Sequence, residues 1–265
     1  MVPAGRGWWS VIERLRFVGV TGEPLAGVFH RPAAAGPDGG VRGSLLVVHC
    51  FTCSKDLHIM SRLARGLAGA GFGVLRFDFT GLGESGGDFS ATTLSTNLGD
   101  LAQAVACLAE RGPGPIGLVG HSLGGAACLL AAGELAPVRS VAVIAAPSTA
   151  GHVRGLFKGV EAELDQAGSA WVRIGGRSFP ISAEFLDDLE RHEVERRTAE
   201  LGRPLLVVHP VDDRVVAVAE GERIFAMARQ PKAFMPLLGT DHLLTSRQAS
   251  AQTVGILVDW FSRTL

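Results

Sequence analysis

An α/β fold, with a mostly parallel central sheet covered by helices on both faces, follows from three features of the sequence. Short aliphatic runs such as Leu45-Leu46-Val47-Val48 and Leu205-Leu206-Val207-Val208 recur along the chain and alternate with longer segments rich in helix formers. These runs are apolar throughout and do not alternate with polar residues, so each strand is expected to be buried on both faces. Glycine is abundant, 35 of 265 residues, and much of it falls where a strand must turn tightly into a helix. Together these features predict one domain over residues 1–265 with about eight strands.

The elements follow in order. Residues 14–20 and 25–30, joined by Thr21-Gly22-Glu23-Pro24, read as an opening antiparallel hairpin. Residues 32–43 are rich in Pro, Ala and Gly and predict a surface loop. A buried strand over 44–49 precedes a helix near 57–70 and a strand over 74–77. A helix near 93–111, a strand over 115–119, a helix from 126 and a strand over 138–145 come next. Residues 148–201 are the main insertion between core strands and predict a small cap. Within it, 171–179 reads as a hairpin turning at Gly175-Gly176, and 183–200 as one charged helix burying Phe185, Leu186, Leu189 and Val194. Strands over 204–209 and 233–237 complete the sheet.

Chemistry concentrates first at Gly120-His121-Ser122-Leu123-Gly124-Gly125, which fits G-x-S-x-G directly after a strand and directly before helix formers. This pattern holds a serine on a tight strand-to-helix turn, with the glycines sparing the backbone a Cβ clash. The helix N-terminus then points N–H groups toward charge developing beside Ser122.

In this arrangement the acid and the base follow in chain order, each past a later strand. The loop after 204–209 contains Asp212 and Asp213, and Asp213 is favoured because it precedes the region where Val215 and Val216 can pack the loop inward. The loop after 233–237 contains Asp241-His242, and His242 is the candidate base. His242 would take the Ser122 proton and return it to the leaving group, while Asp213 would fix the imidazole tautomer. The amide of Leu123 is one expected oxyanion donor. The second is assigned to Phe51, on the loop after the 44–49 strand. Cys50 stands there where a glycine is common, and a cysteine adopts positive φ only at a cost.

The segments 49–56 (His-Cys-Phe-Thr-Cys-Ser-Lys-Asp), 77–85 (Phe-Asp-Phe-Thr-Gly-Leu-Gly-Glu-Ser) and the Ser122 turn resemble α/β-hydrolase-fold proteins. More narrowly, with 185–190 and 241–244, they resemble bacterial hydrolases fused to or encoded with an OsmC-like domain. The resemblance implies a serine hydrolase, esterase-like or peptidase-like. It also implies an OsmC-like partner, here as a separate chain. Relatives commonly carry Arg where Thr80 stands, so whatever that arginine braces must be held otherwise. The Asp78-x-x-Gly81-x-Gly83-x-Ser85 stretch is expected to be scaffold beneath the oxyanion loop.

The remaining residues narrow the class. A formal net charge of −1 argues against nucleic acid as the main partner, and no apolar run reaches the length of a membrane span. The first residues lack a signal-peptide apolar stretch, so a cytoplasmic location is expected. Of four cysteines, Cys107 and Cys128 sit among helical apolar residues and should pack. For Cys50 and Cys53 packing thiols are again the expectation, with a redox-sensitive dithiol as the alternative; a zinc site would need further ligands. His152, Leu156 and Phe157 are candidate substrate liners, against ordinary packing. The expectation is therefore a cofactor-free serine hydrolase cleaving a small or medium ester through an acyl-enzyme on Ser122. Peptidase, thioesterase and acyltransferase chemistry share its triad, and a redox-sensing binding protein is the reading from another class.

Overall fold

The computed structural model describes residues 11–33, 41–174 and 176–265. The central part of the 32–43 loop and Gly175 of the cap hairpin lie outside the described residues. The sheet has eight strands, in the order β1-β2-β4-β3-β5-β6-β9-β10. These are β1 (Ile12–Val18), β2 (Pro24–His30), β3 (Ser44–Val48), β4 (Gly73–Phe77), β5 (Ile116–His121), β6 (Val138–Ile144), β9 (Leu205–Pro210) and β10 (Lys232–Leu237). β1 pairs antiparallel with β2, and β2 antiparallel with β4; every later pairing is parallel.

Period-two alternation explains why the strands are apolar throughout. Leu46 and Val48 of β3, with Leu205 and Val207 of β9, pack into one core together with α2 (Leu94–Arg111), α3 (Leu123–Ala131) and Ile224 of α7 (Val218–Met227). Leu45, Val47, Leu206 and Val208 point the other way, against α1 (His58–Gly69) and α8 (Arg247–Thr264). α2 starts where Thr93 and Thr96 form a reciprocal capping box. Among the described residues no helix is long and apolar enough to cross a membrane.

Between β6 and β9 the chain forms a 3₁₀ segment (Ala150–Phe157), α4 (Glu161–Ala167), the hairpin β7 (Ser169–Ile174) and β8 (Arg177–Ser182), α5 (Ala183–Arg191) and α6 (Val194–Ala199). The single helix expected over 183–200 is therefore two. His192 takes extended backbone angles, φ −99° and ψ 107°. Its Nε2 lies 3.0 Å from Ser95 Oγ, while Asp188 accepts from the Ser95 amide at 2.7 Å. The chain breaks where its side chains turn to satisfy the start of α2, a long-range demand that helical spacing does not carry. Phe185, Leu186, Leu189 and Val194 are buried, as the apolar face requires.

The topology already selects a location for chemistry. Strand order reverses around β3, which lies between β4 and β5, and ligands of open parallel sheets bind past the carboxyl ends at such a switch. Val48 pairs with Gly120, so the loop leaving β3 emerges beside the turn leaving β5.

Candidate active site

Ser122 occupies the turn between β5 and α3 with φ 53° and ψ −126°. A non-glycine residue there carries about 1–3 kcal/mol of backbone strain and persists only if its surroundings over-determine it. They do so here. The Ser122 amide donates to Ile144 O at 2.9 Å, tying the turn to β6. A Cβ on Gly120 would sit 2.5 Å from Gly124 O, and one on Gly124 would sit 2.3 Å from His49 O. The two glycines thus let the turn close on itself and press α3 against the loop leaving β3.

The loops after β9 and β10 bring Asp213 and His242 together: His242 Nδ1 donates to Asp213 Oδ2 at 2.8 Å. The other oxygen of Asp213 accepts the amides of Val215 and Val216 at 2.8 and 2.9 Å, so the carboxylate also shapes its own loop. Burial works to raise the Asp213 pKa, but the His242 bond and the two amides outweigh it and hold the carboxyl below its ordinary value. Asp212, the competing aspartate, is exposed. Ser122 Oγ makes no hydrogen bond to His242 among the described residues, so the trio is closed on its acid–base side and open on its nucleophile side. Such bonds often tighten only with substrate bound.

Two histidines hold this arrangement and escaped the sequence reading. His121 Nε2 donates to the His242 carbonyl at 2.8 Å, and the two rings lie 4.9 Å apart. A carbonyl only accepts, so His121 carries its hydrogen on Nε2, and its buried Nδ1 has no partner. Burial, with the neighbouring His242, depresses its pKa to about 3. His209 Nε2 donates to Val216 O at 2.9 Å and braces the Asp213 loop from beneath. Gly221 makes room for that ring, since a Cβ there would lie 2.5 Å from His209 Nδ1. No motif marks either histidine: His121 reaches a loop 121 residues away, and His209 the loop leaving its own strand.

The loop leaving β3 departs from expectation in two ways. Positive φ falls on Thr52 (59°) rather than on Cys50, so the missing glycine demands nothing of the cysteine. Cys50 and Cys53 are joined by a disulfide across a turn in which the Cys53 amide donates to Cys50 O at 3.2 Å. They are not the packing thiols expected from the sequence. Cys107 and Cys128 are free and buried, as expected. Phe51 and Leu123 line one small cavity, about 10 Å³, with His49, Phe89, Asn97 and Ala127. Leu123 is the first residue of α3, so its N–H has no intrahelical acceptor.

Beyond the disulfide the loop is anchored by Lys55, whose residue is only 2% exposed. Its amide donates to Asp78 Oδ1 at 2.6 Å and its Nζ to Asp78 Oδ2 at 2.8 Å, to Glu84 at 2.6 Å and to Asp56 at 3.0 Å. Burial pulls the Lys55 pKa down, but the three carboxylates outweigh it and raise it. Arg76 closes the cluster through Lys55 O at 2.7 Å and Asp56 at 2.5 Å. Gly83 permits this, because a Cβ there would stand 2.2 Å from the Asp78 carboxylate. Thr80 donates through its amide and hydroxyl to Asp100, which also accepts from Val20. A threonine–aspartate link therefore ties this loop to α2.

The insertion between β6 and β9 meets the loop leaving β3 through aromatic rings. Phe51 stacks on Phe185 at 5.2 Å and meets Phe157 edge-on at 6.2 Å. Phe157 is fully buried in that packing. Leu156 is exposed, and half-buried His152 reaches Val215 O from its Nε2 at 3.0 Å.

The sequence matches the family model described as "Alpha/beta hydrolase family" over residues 45–258. The esterase domain of a Rhodothermus marinus protein is 38% identical, with a TM-score of 0.76 and coverage of 96% of this chain and 98% of that one. Est1E from Butyrivibrio proteoclasticus, solved with ferulic acid bound, shares the fold at 19% identity, a TM-score of 0.78, and coverage of 94% and 99%. The uncharacterized protein YfhR of Salmonella typhi is 27% identical over 232 residues, 87% of this chain and 74% of its own length.

Proposed function

We propose, since this chain belongs to the alpha/beta hydrolase family, that it is a serine esterase that hydrolyses a carboxylic ester of a small or medium substrate through an acyl-enzyme on Ser122. The observation that carries the reading is a serine held at φ 53° on the strand-to-helix turn, on the same sheet end as a 2.8 Å His242–Asp213 pair. The esterase domain from Rhodothermus marinus, 38% identical along nearly the whole chain, supports an ester as the bond cleaved.

In this mechanism His242 Nε2 removes the Ser122 proton as Oγ attacks the ester carbonyl carbon. Asp213 keeps the hydrogen of His242 on Nδ1 and stabilises the imidazolium. The amides of Leu123 and Phe51 donate to the developing oxyanion. Collapse expels the alcohol, which takes the proton from His242. Water, deprotonated by the same nitrogen, then releases the acid and restores Ser122. The cavity of about 10 Å³ beside Phe51 and Leu123, walled by Phe89 and Ala127, has room for about one water next to the two amides.

The test is labelling by a fluorophosphonate, read by intact mass, for the wild type and Ser122→Ala, followed by turnover of p-nitrophenyl esters of increasing acyl length. Stoichiometric labelling that disappears in Ser122→Ala, together with turnover of these esters, is expected. A folded wild type that does not label overturns the reading; labelling combined with a preference for amides or thioesters overturns only the ester assignment.

A further inference from the structure

We propose that the Cys50–Cys53 pair is a thiol–disulfide exchange site for dithiols, and that its state sets how firmly the Phe51 loop is held and so the rate of hydrolysis. The rate part rests on the function proposed above; the exchange and loop parts do not.

The bond lies where local rigidity matters. Its two cysteines bracket Phe51 and Thr52, with Cα atoms 5.4 Å apart. Thr52 holds φ 59°, a conformation that favours glycine, and no glycine occurs in the segment 50–56. Within the turn the other restraints are the Cys53 amide to Cys50 O at 3.2 Å, Thr52 Oγ1 to Phe51 O at 2.7 Å, and His49 Nδ1 to Cys50 O at 2.8 Å. A link closing so short a loop removes little entropy from the unfolded chain, so its main effect is on the turn itself. The Lys55–Asp78 anchor lies past Cys53 and survives reduction, which confines the change to the turn.

The pair is also poised for one direction of attack. Cys53 is half-buried whereas Cys50 is 6% exposed. A thiolate of the incoming dithiol attacks Cys53 Sγ, the protein S–S bond breaks, and Cys50 leaves as a thiolate that takes a proton. The second thiol of the dithiol then displaces Cys53 from the mixed disulfide and closes the reagent's own disulfide. Two electrons and two protons pass to the protein. Cys107 and Cys128 do not compete: both are buried, and burial raises both thiols above their ordinary range.

The experiment uses the full chain treated under native conditions with dithiothreitol, and three readouts. Alkylation with iodoacetamide and peptide mapping should show Cys50 and Cys53 modified only after reduction. Amide exchange in the 49–56 peptide should quicken about tenfold, and p-nitrophenyl acetate turnover should fall about tenfold, short of the 10²–10³ lost when an oxyanion donor is removed outright. Oxidised glutathione should reverse all three, and Cys50→Ser/Cys53→Ser should behave as the reduced protein under either reagent. Equal alkylation before and after dithiothreitol overturns the exchange site. Full reduction that leaves both amide exchange and turnover unchanged overturns its control of the loop. A protein with no turnover in either state refutes the esterase reading, while alkylation and amide exchange still decide this one.

Discussion

Asp78 and Asp213 are the same residue in closely matched settings. Each lies just past the carboxyl end of a parallel strand, β4 and β9, with a side chain inaccessible to solvent. Each accepts three short hydrogen bonds, including loop amides that it thereby shapes: Lys55 N and Glu84 N for Asp78, Val215 N and Val216 N for Asp213. The third donor separates them. Asp78 faces the ammonium of Lys55, whose pKa is raised, so that proton stays put at any physiological pH. Asp213 faces His242, an imidazole with a second ring nitrogen free to take a proton. Loop amides orient a buried carboxylate in both places, and the partner distinguishes a loop brace from the acid of the proposed triad.

The sharpest break in the comparison is Asp213→Asn. An asparagine can keep the Val215 and Val216 amides but cannot hold the imidazolium, so kcat should fall about 10⁴-fold while the melting temperature moves little. Steady-state turnover and calorimetry on the same preparation check this. Near-wild-type turnover would show that the His242–Asp213 bond is only structural.

Asp78→Asn should reverse the pattern. It leaves the Lys55 ammonium buried with its innermost carboxylate gone, a change that costs about 3–5 kcal/mol when one partner of a buried pair is removed. Urea unfolding should show that loss, with turnover per folded molecule reduced far less than in Asp213→Asn. A destabilisation below about 1 kcal/mol would mean that Glu84 and Asp56 hold Lys55 without it.

The Asp213 side of the comparison was legible in the sequence, and the Asp78 side only as scaffold beneath the loop leaving β3, without its lysine partner. Chain order and the placement of loops after apolar runs point to Ser122, Asp213 and His242, because the fold itself sets where strand ends converge. Eight strands and the opening hairpin are equally readable from composition and turn residues. No motif marks Lys55 for burial, since burying a lysine depends here on three carboxylates from residues up to 29 positions away. His121 and the break at His192 are hidden for the same reason: each is fixed by a partner on another element. The disulfide was hidden differently, as two cysteines three apart fit thiols, a dithiol or a bond equally well.

Acid should act on both ends of the comparison through buried histidines. His121 braces His242, and His30 accepts from Arg76 Nε at 3.1 Å at the Lys55 end. Burial, aided by a neighbouring charge, lowers their pKa values from 6.5 to about 3 and about 4. Below 6.5 the unfolded chain therefore binds protons that the folded chain refuses, and stability falls with falling pH down to those folded values. Each such histidine contributes a slope of up to about 1.4 kcal/mol per pH unit. Urea unfolding at pH 7.5 and 5.5 measures it, and a flat profile would show that these rings become protonated in place. Asp213, held below its ordinary value, supplies stability that is present above the usual carboxylate pKa and disappears only at lower pH.

The smallest expected effect belongs to Asp212→Asn, and it tests whether position alone makes Asp213 what it is. Asp212 sits one residue earlier on the same loop, exposed, and could approach His242 only by displacing Asp213 from the turn that its own carboxylate closes. Because Asp213 Oδ1 fixes Val215 and Val216, the loop cannot slide by one residue without losing both bonds. Substitution at 212 should therefore leave turnover within about twofold and stability within about 0.5 kcal/mol, the range of ordinary surface changes. Turnover and fluorophosphonate labelling of Asp212→Asn beside Asp213→Asn measure this directly. A tenfold loss in the first, or equal losses in both, would mean that the two carboxylates act as a pair and that the single-acid reading of this loop is wrong.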